Sequence, residues 1–107
     1  MQTSVVSKQF DLGESLTKYA TETLTKTVAK YFDRAISADA VFTKEGDFTK
    51  VDISVHAAAN LMIQSHDSSP DVYKAFDEAI NKLAIQLAKQ KDKITDYNNE
   101  INDSFKS

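Results

Sequence analysis

Residues 50–87, KVDISVHAAANLMIQSHDSSPDVYKAFDEAINKLAIQL, decide the fold. Val51, Ile53 and Val55 alternate with Lys50, Asp52, Ser54 and His56, the period-two pattern of a strand with one buried face. Ala57 to Asn60 reads as a short connection. Leu61, Ile63 and Ser65 then alternate with Met62, Gln64 and His66 in a further strand. Asp67-Ser-Ser-Pro70 ends the alternation. Ser69 is expected to cap a helix there, with Pro70 in the first helical position, where a missing N–H costs nothing. Asp71 would place an acid in the first turn, complementing the helix dipole. From here the period changes. Val72, Phe76, Ala79, Ile80, Leu83 and Leu87 form one apolar stripe at helical spacing, running towards about Ile94.

Upstream, Glu45-Gly46-Asp47 is a turn signal, and residues 36–44 alternate: Ala38, Ala40 and Phe42 on one side, Asp39, Val41 and Thr43 on the other. Earlier still, Leu16, Ala20, Leu24, Val28, Tyr31 and Phe32 recur at helical spacing and predict a helix from about Gly13 to Phe32, with Asp11 or Gly13 near its N-cap. Thr21, Thr23, Thr25 and Thr27 lower its intrinsic propensity, so packing must hold it. Residues 2–6, QTSVV, open the chain as a short strand. The predicted order is β-α-β-β-β-α, an α+β fold in which one sheet has its apolar face covered by two amphipathic helices. The first strand, crossing through a helix, should pair parallel to a later strand, and the other three should form an antiparallel meander. The opposite sheet face, bearing Lys50, Asp52, Ser54, His56, Met62, Gln64 and His66, should meet solvent. From Asp96 onward the chain is polar without a long periodic run. Residues 1–95 therefore read as one domain and residues 96–107 as a polar tail or the start of a linker.

A chain of 107 residues holds one core and is too short for two. No cysteine occurs, which excludes disulfides, thiol chemistry and cysteine-based zinc sites and fits a reducing cytoplasm. The start MQTSVVSKQFD lacks the pattern of a signal peptide, and no apolar run approaches a membrane span. With glycines only at positions 13 and 46 there is no phosphate-cradling loop, and no nucleophile motif is present. Asp77 and Glu78 are adjacent on a helix and diverge, a poor acid/base pair. His56 and His66 lack a third ligand at metal spacing, so they read as surface histidines. The chain is not expected to be an enzyme or to hold a metal or cofactor.

Net charge is −3, yet its distribution is uneven. Residues 82–93 hold Lys82, Lys89, Lys91 and Lys93 against Asp92 alone. Lys82 and Lys89 are seven residues apart and share a helix face, Lys93 continues the row, and Lys91 sits round the helix. Ammonium groups in a row on a rigid helix can follow a phosphate backbone, drawing affinity from counterion release. The plain alternative is a solvated helix face, which Ile85, lying between the two lysines, fits badly. Lys26 and Lys30, one turn apart, share a side of the first helix, with Lys18 before them and Arg34 just past its end, and Glu14 and Glu22 dilute this face. Tyr31, Phe32 and Tyr73, at helical positions beside apolar stripes, are expected in the core rather than as stacking platforms for bases.

The segments KYFDR at Lys30 to Arg34 and DVYKAFDEAINKLAIQLAKQKDK at Asp71 to Lys93 resemble the hibernation-promoting factor and ribosome-associated inhibitor family. So do DLGESL at Asp11 to Leu16 and VDISVH at Val51 to His56, in the same order. The resemblance spans essentially residues 1–95. It implies a four-stranded sheet with two helices on one face, shaped like a double-stranded RNA-binding domain. It also implies a bacterial, cytoplasmic, non-catalytic protein of stress or stationary phase that binds the small ribosomal subunit and its rRNA. Such a protein occupies the mRNA and tRNA channel near the decoding site and blocks translation sterically, with no membrane and no small-molecule substrate. By resemblance, Lys26, Lys30, Lys82, Lys89, Lys91 and Lys93 are the RNA-facing residues. Ile85 stands where the family often has arginine, and Gln90 where a basic residue or histidine is usual. The wording of these segments is closer to long members, in which a linker and C-terminal domain dimerise ribosomes. Two other readings stay open on the residues: a generic double-stranded RNA-binding module, and a protein-interaction domain using the exposed sheet face.

Overall fold

A computed structural model describes the backbone of residues 1–106 and the side chains of residues 1–91. The elements are β1 (Gln2–Lys8), α1 (Glu14–Tyr31), β2 (Ser37–Glu45), β3 (Phe48–Ala58), β4 (Leu61–Ser69) and α2 (Val72–Lys106). The strands lie in the order β1-β2-β3-β4. β1 pairs parallel to β2, and β2–β3 and β3–β4 are antiparallel. β4 is therefore parallel to β1. Each helix turns back over the sheet from the strand before it, so α1 and α2 run in the same direction.

The alternation read from the sequence is the burial pattern observed. Ala38, Ala40, Phe42, Val51, Ile53, Val55 and Ile63 point inward from the sheet. Leu16, Ala20, Leu24 and Val28 of α1, with Ala75, Phe76, Ala79, Ile80, Leu83 and Leu87 of α2, close over them. Phe42 of β2 and Phe76 of α2 stack with ring centroids 5.7 Å apart. Ser65 is a buried polar residue in this layer, and its hydroxyl donates to the Ala79 carbonyl at 2.9 Å, tying β4 to α2. The other face of the sheet is exposed or half-buried at Lys50, Asp52, Ser54, His56, Met62, Gln64 and His66, as the alternation predicts.

The threonines of α1 bond back along their own helix. Thr17 donates to the Gly13 carbonyl, Thr21 to Thr17 and Thr25 to Thr21, at 2.7–2.8 Å. Thr25 also meets Thr3 of β1 at 2.9 Å, so the helix is pinned to its neighbouring strand. Gly13 is the N-cap, with φ 79° and ψ 162°, a conformation open essentially to glycine alone. The β2–β3 hairpin turns through Gly46 and Asp47. Gly46 has φ 60° at the first central position, as a two-residue hairpin of this hand requires.

Three local expectations change. The connection after β3 is shorter than Ala57–Asn60, because β3 runs to Ala58 with a register shift between His56 and Ala58 that keeps the strand paired. β4 continues to Ser69, so the cap of α2 is Asp71 and not Ser69. The Asp71 carboxylate accepts from Tyr73 N–H at 2.9 Å and Lys74 N–H at 3.4 Å, whereas Ser69 Oγ accepts only from Asp71 N–H. Pro70 thus precedes the helix, where its fixed φ helps turn the chain. Finally, the backbone of α2 continues to Lys106, beyond the end near Ile94 that the apolar stripe predicts. No glycine or proline follows to stop it, and helix geometry needs no apolar stripe to continue. The separate tail assigned to residues 96–107 lies outside the residues whose side chains are described.

Replacing Asp71 by alanine removes the acceptor for two helix N–H groups and should cost about 1 kcal/mol of stability. Urea denaturation should show it as a lower midpoint at unchanged slope, with Ser69→Ala, which loses one weaker bond, costing less.

Candidate nucleic-acid interface

The lysines picked out in the sequence fall into two groups on the helical side of the sheet. Lys82 and Lys89 lie two turns apart on the flank of α2 above β4. Lys82 is tied down there: its Nζ is 3.2 Å from the Asp67 carboxylate and 3.5 Å from the His66 carbonyl, both on β4. Lys82 still exposes 57% of its side chain. Lys91 follows Lys82 by nine residues and sits half a turn round, on the flank that carries Tyr73 and Asp77.

That flank faces α1. Tyr19 of α1 bridges the two helices: its hydroxyl donates to Asp77 at 2.6 Å, and its ring lies 5.6 Å from Tyr73 and 5.8 Å from Phe76. The hydrogen bond to Asp77, and then burial, raise the pKa of the Tyr19 hydroxyl above its ordinary 10.0. Lys26 and Lys30 follow Tyr19 by seven and eleven residues, close to whole numbers of turns, and so share its side of α1. Lys26, Lys30 and Lys91 therefore border the seam between the parallel helices, downstream of the Tyr19 bridge. Lys30 Nζ also lies 5.5 Å from the Tyr31 ring centroid. All five lysines are exposed. Lys93 lies outside the residues whose side chains are described.

The aromatic expectations divide. Tyr31 and Phe32 are half-buried against the core, as predicted. Tyr73 is 44% exposed and packs on Tyr19 at the helix seam, so its place beside the stripe does not put it inside. It stands on the edge of the stripe, where a helix can tilt a large ring outward. Tyr19 was not marked by the sequence at all, because nothing in one helix's period shows which residue meets the other helix. His56 and His66 sit opposite Met62 and Asp52 respectively, four residues apart along the ladder, or about 13 Å, too far to share an ion.

This chain and its arrangement of sheet and parallel helices match known proteins over most of the length. A family model described as Sigma 54 modulation protein / S30EA ribosomal protein matches residues 3–95. The chain belongs to that family. A ribosome hibernation promotion factor of Rhizobium meliloti is 26% identical over 99 residues, covering 92% of this chain and 52% of that protein. The ribosome hibernation promoting factor of Escherichia coli is 30% identical over 97 residues, covering 91% of this chain and 100% of that protein. The chain thus spans about half the length of the first relative and the whole of the second. Among solved structures, the N-terminal domain of Thermus thermophilus Protein Y superposes with a TM-score of 0.72 at 19% identity, covering 83% of this chain and 98% of that one. A ribosomal subunit interface protein from Coxiella burnetii gives 0.70 at 23% identity, covering 85% and 98%. These two likenesses establish the fold.

The Asp67 carboxylate accepts from Ser68 N–H at 2.7 Å and pairs with Lys82, and these contacts, in that order, lower its pKa below the ordinary 3.8. A carboxyl lowered on folding stabilises the fold above its unfolded pKa, and that contribution is lost as pH falls through the folded value. Thermal melts should therefore show the native protein losing stability from pH 4 downward more steeply than Asp67→Asn. Identical slopes would remove Asp67 from the acid response.

Proposed function

We propose that this chain is a ribosome hibernation factor that binds the small subunit through the lysine-bearing flanks of its two helices. It binds rRNA in the mRNA and tRNA channel near the decoding site and inhibits translation by occupying that path. The observation that carries this reading is the sidedness of the charge. Among the described residues of the two helices, Lys18, Lys26, Lys30, Lys74, Lys82, Lys89 and Lys91 outnumber Glu14, Glu22, Asp77 and Glu78, while the open sheet face balances Lys8 and Lys50 against Asp39 and Asp52. Membership in a family whose relatives are named ribosome hibernation promoting factors supports the ribosome as the partner. A ribosome partner in turn supports a cytoplasmic location; no described helix is long and apolar enough to cross a membrane.

The mechanism is positional. Phosphate contacts fix register and orientation without reading sequence, which suits a single target of fixed shape. The Lys82–Asp67 pair restrains one ammonium above β4, so it loses less rotamer freedom on docking than a free lysine would. Tyr19 bridges the helices on the other flank and so fixes the spacing of the seam lysines. The net charge of −3 repels RNA at long range, so binding depends on this local surface and should be salt-sensitive. In a longer form, a further domain would join two ribosomes, with this domain as the anchor.

Co-sedimentation with purified small subunits at low and at moderate salt tests the reading. Binding should fall steeply with salt, and each of Lys26, Lys30, Lys82 and Lys89 replaced by alanine should lower the log–log salt slope by about one. Lys82→Glu with Lys89→Glu should abolish binding and translation inhibition while the melting curve stays cooperative, and Lys50→Glu on the sheet face should do neither. A plain RNA duplex should compete poorly. Salt-indifferent binding, or full inhibition by the double variant, would contradict the assignment.

A further inference from the structure

β4 is an edge strand of nine residues, Leu61–Ser69, and its outer backbone groups have no strand partner. Edge strands are ordinarily protected by lysine, proline, a bulge or a covering segment. β4 contains no lysine, arginine or proline, and its register shift lies at the Leu61 end, leaving the rest a regular ladder. Its carboxylate, Asp67, is already paired with Lys82. Its one described cover is the Lys82 ammonium on the His66 carbonyl at 3.5 Å, the outer limit of a hydrogen bond. Beside this edge runs an open groove lined by Gln64, Ser65, His66, Lys82, Ile85 and Gln86. Ile85 is 55% exposed, as is Met62 on the opposite face of the strand.

We propose that the β4 edge is a self-association surface, taken by β4 of a second copy of this chain in an antiparallel pair. A two-fold axis demands that each patch meet itself, residue by residue. The midpoint of β4 is Ser65, and an axis there sets Gln64 of one copy opposite His66 of the other and Ile63 opposite Asp67. α2 runs back along β4 from Lys82, which reaches the His66–Asp67 level. At 1.5 Å per helical residue against about 3.3 Å per strand residue, Ile85 stands about one strand residue further on, beside Ser65, and Lys89 about three, beside Ile63. The axis therefore brings the two Ile85 side chains together and covers them both. It sets Lys89 of each copy against Asp67 of the other, since Asp67 lies opposite Ile63. Opposite charges meet twice, one apolar side chain meets its own image, and the two sheets become one eight-stranded sheet with all helices on one side.

The pairing also covers the Lys82–Lys89 flank, so a paired copy cannot present that flank to RNA. The inference does not rest on ribosome binding, and it is tested on the free protein.

Sedimentation equilibrium from low micromolar to near-millimolar concentration should show the mass rising from 11.9 kDa towards twice that value. Ile85→Asp places two carboxylates at the axis and should weaken association at least about tenfold, and Lys89→Glu should weaken it as well. Because the chain has no cysteine, Ile85→Cys supplies a unique thiol that should crosslink two copies under mild oxidation, while Ala29→Cys on α1 should not. A monomer at every concentration overturns the proposal, as does a dimer indifferent to Ile85→Asp that crosslinks equally through position 29. Monomeric protein whose Leu61–Ser69 amides gain exchange protection only on ribosomes would assign the edge to a ribosomal strand, and also overturns self-pairing.

Discussion

A four-stranded sheet that is apolar on one face only can be completed in one way by this chain: both helices must lie on that face. Everything functional follows from that asymmetry. Ala38, Ala40, Phe42, Val51, Ile53, Val55 and Ile63 all point to the same side, and α1 and α2 bury them through the Phe42–Phe76 stack and the Ser65–Ala79 hydrogen bond. A β-α-β crossover forces α1 back along its strand, and β4, parallel to β1, sends α2 back the same way. The helices become parallel neighbours, and their outer surfaces, where an apolar stripe is not required, are free to carry lysines. The other sheet face is left mixed in charge and without a ridge.

The interactions between the elements set how far this surface is pre-ordered. Tyr19 contributes a hydrogen bond to Asp77 and two aromatic contacts, at a seam where the helices have few large side chains to interlock. The hydroxyl is protonated and donating throughout the physiological range, and its pKa is raised because the proton is held against the Asp77 carboxylate. On the other flank the Lys82–Asp67 pair joins an exposed lysine to a half-buried carboxylate, and a pair so open to water contributes little stability. Its consequence is geometric: it holds a cation above the edge strand and partly screens that edge.

Much of this was legible in the residues, and the reasons are particular. Alternation at Val51, Ile53 and Val55 and the stripe from Val72 to Leu87 are direct records of burial, so element order, layers and the exposed face were readable. The cap of α2 was misplaced by two residues because Ser69, Pro70 and Asp71 are all plausible at a helix start. Only the observed hydrogen bonds of Asp71 separate them. The lysines could be named but not grouped. Placing Lys26, Lys30 and Lys91 at one seam and Lys82 and Lys89 at a far flank requires the relative direction of the helices, which no single helix's period contains. Tyr73 neighbours the stripe yet stays outside, and Tyr19 leaves no mark in its own helix's period because its partners are 54 to 58 residues away.

The proposed binding mode sets the helical side, not the open sheet face, against rRNA. Absence of cysteine makes directed hydroxyl-radical probing the most direct measurement. Single cysteines carrying tethered iron would be placed at Ala29 and Asn81 on the helices and at Ser54 and Gln64 on the sheet, all on small subunits. Positions 29 and 81 should give strong cleavage of small-subunit rRNA around the mRNA and tRNA path, and positions 54 and 64 weak cleavage there. Strong cleavage from the sheet positions with none from the helices would contradict it.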